Sequence, residues 1–196
     1  TAPIIGGEGT ATYTLKNIES DDVVIASTSS HITAQKSAAG TISYTITANY
    51  GKSARTGEIV LNSPSTGATA TIVVTQAAAA FSATPTTVSL KAEANSTATF
   101  TVTSTYAATI AVADATKWSV TPASIEGGTS AVTVTVKALT ANETADAITG
   151  AITITRTADG EKLTVTASQA GVSQGGSEPV VVLSEQFDNK STSDSS

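Results

Sequence analysis

Val132-Thr133-Val134-Thr135-Val136 is a run in which every second residue is valine and both gaps are threonine. Successive side chains on an extended strand point to opposite faces, so this run buries its valines and presents hydroxyls on the other side. The same period of two spreads outward through the chain. It recurs in Tyr13/Leu15, Ile42/Tyr44/Ile46, Ile59/Leu61 and Ile72/Val74, and again in Phe100/Val102, Ile152/Ile154 and Leu163/Val165/Ala167. Threonine suits the outer face, because a β-branched side chain packs on a pleated surface and keeps a wet hydroxyl. Helical spacing is sustained nowhere, and Leu139 to Ile148 is the least strand-like segment and reads as a loop. The chain is predicted to be all-β.

An internal repeat sets the organisation. Arg55-Thr56-Gly57-Glu58-Ile59 is echoed by Ile148-Thr149-Gly150-Ala151-Ile152, Gly67 by Gly160, and Thr75-Gln76-Ala77 by Ser168-Gln169-Ala170, all at an offset of 93. Ala11 to Leu15 matches Ala98 to Val102 at an offset of 87, and the six-residue drift is expected in the Leu139 to Asp146 loop. Short strands bounded by closely and regularly spaced turn signals read as two tandem immunoglobulin-like β-sandwich domains. The expected boundaries are 1–79, 80–171, and 172–196 for a linker, one extra strand and a disordered tail. The second copy opens with Phe81 to Pro85 and Val88-Ser89-Leu90. In the first copy little chain precedes Tyr13, so its opening strand is expected to be short or truncated. Val180 to Leu183 reads as the opening strand of a further domain or as an extra edge strand. The Ala77 to Ala80 connection is short enough to predict a limited hinge.

Composition removes several classes of function. The 196 residues include 37 Thr, 33 Ala and 24 Ser, and only 13% of the chain is charged against 40% hydrophobic, which favours an ordered fold over disorder. A net charge of −6 with 10 basic residues argues against a nucleic-acid partner. No run approaches the roughly 20 apolar residues of a membrane span, and no signal segment stands at the start. With no cysteine and one histidine, disulfides, thiolate nucleophiles and Cys- or His-rich metal sites are excluded. No cofactor and no metal are expected.

Phe100 to Val102, Trp118-Ser119-Val120, Val132 to Val136, the Arg55-Thr56-Gly57-Glu58-Ile59 corner and the closing Thr164 to Gly171 strand together resemble the BACON domain, an immunoglobulin-like module. The resemblance covers roughly 10 to 171. It departs at Ile148, where the corner arginine would sit, and at His31, near the position of Trp118. The resemblance implies a bacterial cell-surface or secreted protein, often a lipoprotein, in which a polysaccharide is a possible partner. Carbohydrate binding in the family is an association with glycan-active neighbours, and fold alone does not carry function.

A glycan site on a sandwich needs exposed rings. Of eight aromatic residues, Tyr13, Tyr44 and Phe100 share core parity, Phe81 is expected to cap the domain junction, and Phe187 belongs to the tail. Tyr50, Tyr106 and Trp118 remain as ligand candidates, the competing readings being a half-covered turn residue for Tyr50 and core packing for Tyr106 and Trp118. Tyr106 and Trp118 are expected to cluster at one end of the second domain. No catalytic residue is expected: no nucleophile-elbow pattern G-x-S-x-G accompanies His31, and Glu19, Asp21 and Asp22 read as a solvated turn. Gly57 is expected to permit a positive φ, with Arg55 tying down loop carbonyls.

These readings converge on a non-enzymatic, monomeric, extracytoplasmic spacer or interaction scaffold flanked by neighbouring domains. A carbohydrate-binding module using Trp118 and Tyr106 is the alternative. An adhesin-like subunit completed by strand exchange is a further one.

Overall fold

A computed structural model describes residues 1–128 and 130–172, so the expected strand at Val180 to Leu183 lies outside the described residues. The first half contains β1 (Gly7–Thr12), β2 (Val24–Thr28), β3 (Ile32–Ala38), β4 (Thr41–Ile46), β5 (Arg55–Asn62) and β6 (Thr69–Gln76). The second contains β7 (Phe81–Thr84), β8 (Thr87–Leu90), β9 (Thr97–Ser104), β10 (Ala108–Val112), β11 (Trp118–Thr121), β12 (Ser124–Ile125), β13 (Val132–Ala138), β14 (Ile148–Arg156) and β15 (Lys162–Gln169). One 3-10 turn, Ser20–Asp22, is the only helical element among the described residues. The all-β prediction holds.

In the first half, β1-β4-β3 and β2-β5-β6 form two sheets; in the second, the sheets are β11-β13-β9-β7 and β12-β10-β14-β15-β8. The alternation places the core as the sequence requires. Ile42, Ile46, Ile59 and Leu61 close one cluster, and Phe100, Val102, Val134, Val136, Ile152 and Ile154 belong to a second, separate one. Two cores of this kind fit the two modules read from the repeat. Tyr13 and Tyr44 lie half-buried against the first core, and Phe100 is fully inside the second.

The opening strands differ. In module two, β7 pairs with β9 and β8 runs parallel to β15. In module one, the counterpart of β8 is a single parallel bridge, Ala2 opposite Gln76.

Two expectations are corrected. The six-residue drift does not fall in the Leu139 to Asp146 loop. Gln35 pairs with Ser43 across a short return, whereas the counterpart Thr121 pairs with Thr135 across a longer one, and the difference between the two returns equals the drift. The extra chain is therefore the β11–β13 connection, which carries β12; module one makes the same connection with a tight turn at Gly40, whose φ is 73°. Gly57 has no positive φ and no bend. It lies within the regular β5–β6 ladder opposite Val74, and a Cβ there would stand 2.6 Å from His31 Nε2, so glycine is needed for a close approach.

Candidate functional site

Trp118 starts β11 opposite Ala138 and is 2% exposed. Its ring lies against Gly150, where a Cβ would collide with the indole. The indole N–H has no partner among the described residues, so packing alone holds the ring. Neither face of Trp118 is available to a sugar. In module one the matching space over Gly57 is filled by Ile32, which starts β3 as Trp118 starts β11, together with the adjoining imidazole of His31. This explains how a histidine stands near the tryptophan position.

Tyr106 does not cluster with Trp118. It lies near Arg156 at the end of β14, whereas the indole rests on Gly150, six residues back along that strand. At a strand rise of about 3.3 Å per residue the two sites are roughly 20 Å apart. Tyr106 instead meets Tyr50 of module one, with ring centroids 4.9 Å apart and planes tilted by 51°. The Tyr106 hydroxyl donates to Ile4 O at 2.9 Å and Asn49 O at 3.1 Å, both in module one. Burial raises the Tyr106 phenol above its ordinary pKa, and neighbouring Tyr50 adds to the shift.

Arg156 was not singled out by the sequence, and it organises this region. Its side chain is 1% exposed. Nε donates to Asp159 Oδ1 at 2.8 Å, and Nη2 donates to Asp159 Oδ2 at 2.6 Å, Glu161 Oε2 at 2.5 Å and Tyr50 O at 3.1 Å. The guanidinium stands 4.9 Å from the centre of the Phe81 ring and 5.9 Å from those of Tyr50 and Tyr106. A guanidinium buried this far is tolerable because carboxylates neutralise it and ring faces cover it. The hydrogen bond to Asp159 raises the Arg156 pKa further and holds the Asp159 carboxyl below its ordinary value. Phe81 thus lies at the module junction, as its position in the sequence suggests. The clue to Arg156 was its isolation: it is the one arginine in a strand whose other fully buried residues are Ile152 and Ile154.

Buried amides build the ends of both modules. Asn49 Nδ2 donates to Ser53 O at 3.0 Å and Ala77 O at 2.8 Å; Asn142 Nδ2 donates to Asp146 O at 2.8 Å and Ala170 O at 3.0 Å. Gln76 Nε2 reaches Pro3 O and Thr47 O, and Gln169 Nε2 reaches Ala92 O and Thr140 O. Arg55 ties down carbonyls as expected, donating to Thr47 O at 2.6 Å and Ala48 O at 2.9 Å.

A cleft of about 510 Å³ lies over the outward face of β1-β4-β3. Strand register sets Glu8, Thr45 and Thr33 in one row and Thr10, Ser43 and Gln35 in the next. One carboxylate, one amide and four hydroxyls therefore share a surface that can exchange hydrogen bonds with a polar ligand. The Asp22 carboxylate is engaged differently. It accepts from Ser63 Oγ and, at 2.6 Å, from Ser65 Oγ, and these hydroxyls hold it below its ordinary pKa. Among the described residues, no group of three or more His, Cys, Asp or Glu gathers as a metal site, and no helix is long and apolar enough to cross a membrane.

Residues 20–77 match the family model BACON, described as "Putative binding domain, N-terminal". The match covers most of module one. No curated protein sequence matches the chain. Solved structures with similar folds include the CsuC–CsuE chaperone–tip adhesion subunit complex of archaic chaperone-usher Csu pili from Acinetobacter baumannii, 9% identical with a TM-score of 0.38 over 47% of this chain and 57% of that one. The S-layer protein rSbsC(31-844) is 18% identical, with a TM-score of 0.41 over 85% of this chain and 20% of that one. The D00-D0 domain of intimin is 13% identical, with a TM-score of 0.37 over 87% of this chain and 94% of that one.

Proposed function

We propose that this chain is a non-enzymatic, extracytoplasmic scaffold that carries neighbouring domains on two tandem immunoglobulin-like modules. The observation that carries the reading is where its rings go. Trp118 lies under the module-two sheets, and Tyr50 and Tyr106 pack on each other and on Arg156 where the modules meet. Trp118 is closed to a sugar, and Tyr106 and Tyr50 are engaged at the junction, where Tyr50 keeps 39% of its surface exposed. The BACON match over residues 20–77, described as a putative binding domain, is compatible with an interaction module. Its threonine-covered strands, poor in Trp, Tyr and Arg, suit a soluble spacer better than a high-affinity interface.

The cleft bounded by Glu8, Thr10, Gln35 and Ser43 favours a second reading, in which module one contacts a glycan through hydrogen bonds alone. Titration against plant and mucin polysaccharides by calorimetry separates the two. The scaffold reading expects no saturable heat with any of them. Saturable binding that disappears in Glu8→Ala/Gln35→Ala, at an unchanged unfolding midpoint, replaces it with the binding reading.

A further inference from the structure

We infer that the two modules are joined by a fixed clamp, with Arg156 as its pin, so that they turn as one rigid body and not about a hinge. Relative motion is the default for two small domains on a short connection, so rigidity needs a specific cause. The base of module one and the top of module two supply it. Ala79 N donates to Gly51 O at 2.9 Å across the connection itself. Arg156 reaches over to Tyr50 O, Tyr106 reaches Ile4 O and Asn49 O, and Lys52 pairs with Glu161 at 3.2 Å on the rim.

The repeat shows that these side chains are not part of the general module. At the offset of 93, Arg156, Asp159 and Glu161 correspond to Ser63, Thr66 and Ala68 at the far pole of module one. There the Ser63 hydroxyl bonds to Asp22 and Thr66, both within its own module. Tyr50, Gly51 and Lys52 correspond to Glu143, Thr144 and Ala145 at the base of module two. Each half of the clamp therefore occurs only on the pole that uses it. The frame residues around it, Asn49 with Asn142 and Gln76 with Gln169, occur on both.

The mechanism follows from charge and burial. Arginine stays protonated at any accessible pH, and its guanidinium is tolerated inside only while carboxylates and ring faces enclose it. Tilting the modules apart removes Tyr50 from that enclosure, admits water to Arg156 and strips the Tyr106 hydroxyl of both acceptors. The joint has one low-energy seating. This inference stands independently of the scaffold reading, since a glycan-binding pair can be rigid as well.

Residual dipolar couplings on the whole chain test it. In the unaltered protein, amides of residues 7–76 and 81–169 should fit one alignment tensor. In Tyr50→Ala/Tyr106→Phe, which removes side chains from neither hydrophobic core, they should need two tensors of different magnitude. Arg156→Met should do the same; if that variant does not fold, the tyrosine pair decides. Two tensors in the unaltered chain overturn the clamp. One tensor in the tyrosine variant also overturns it, since the ring enclosure of Arg156 and the hydrogen bonds of the Tyr106 hydroxyl would then not be what seats the joint.

Discussion

The two modules use the same frame and differ in what fills it. Gly57 and Gly150 sit at matching places in β5 and β14, and each makes room for a neighbouring side chain. In module one the space is shared by Ile32 and the imidazole of His31; in module two the much larger indole of Trp118 takes all of it. The carbonyl-gathering amides are common to both, with Asn49 and Asn142 each holding a loop and the first residue after the closing strand. The connection between the strands carrying Ile32 and Trp118 and their next neighbours is not shared, being a tight turn in one module and a long arm with an extra strand in the other. The difference teaches which parts of the module are obligatory. Polar groups that satisfy buried backbone carbonyls recur, because an orphaned carbonyl is penalised in any copy. Ring size, turn length and the chemistry of the poles are free to diverge.

Removing the ring from each glycine seat gives the largest contrast. Trp118→Ala should destabilise module two by about 3–5 kcal/mol in urea unfolding, because it deletes a large side chain from a closed core. His31→Ala should cost module one only about 1 kcal/mol, since Ile32 still covers Gly57. Equal losses would mean that the two seats are not filled in the way their geometry indicates.

Deleting the shared amides sharpens the likeness. Asn49→Ala and Asn142→Ala should each cost about 2 kcal/mol, and by similar amounts, because each leaves buried carbonyls without a donor. The readout is the unfolding midpoint of each variant at neutral pH. A large effect in one module and none in the other would break the claimed equivalence.

Acid should divide the modules with the smallest effect. Hydrogen bonds from Arg156 depress the Asp159 pKa, and those from Ser63 and Ser65 depress that of Asp22. A carboxylate depressed in the folded state adds stability above its unfolded pKa of about 3.9, and that stability is lost as pH falls through the lower folded value. Since Trp118 is the only tryptophan, its fluorescence reports on module two alone. Asp159→Asn should therefore flatten the acid limb seen by fluorescence, while Asp22→Asn should act chiefly on the module-one part of the circular-dichroism signal and change the fluorescence limb less.

Much of the fold was legible because a period of two is a local property. Val132 to Val136 fixes its own inward face whatever it packs against, and the repeated Thr-Gln-Ala and Ser-Gln-Ala endings mark matching strand ends. The candidate site was less legible. Parity along a strand says that Trp118 or Tyr106 points inward or outward, but not which pole of the module it occupies. Separating the two required knowing that β11 begins beside Gly150 while Tyr106 lies at the Arg156 end of the same strand, β14. Asn142 stands at the established offset of 93 from Asn49, and the hydrogen bonds both make to loop carbonyls identify them as structural amides.

By itself, the sequence determined the all-β class, the repeated module and the faces of its strands, because alternation and duplication are written in neighbouring residues. Tertiary structure alone decided that Gly57 and Gly150 are seats for larger neighbours, that the extra six residues belong to the β11–β13 connection, and that Arg156 is enclosed by Tyr50, Phe81 and Tyr106. Those facts join residues up to 106 positions apart, Tyr50 to Arg156, and a buried guanidinium finds its carboxylates and rings only once both modules have closed around it.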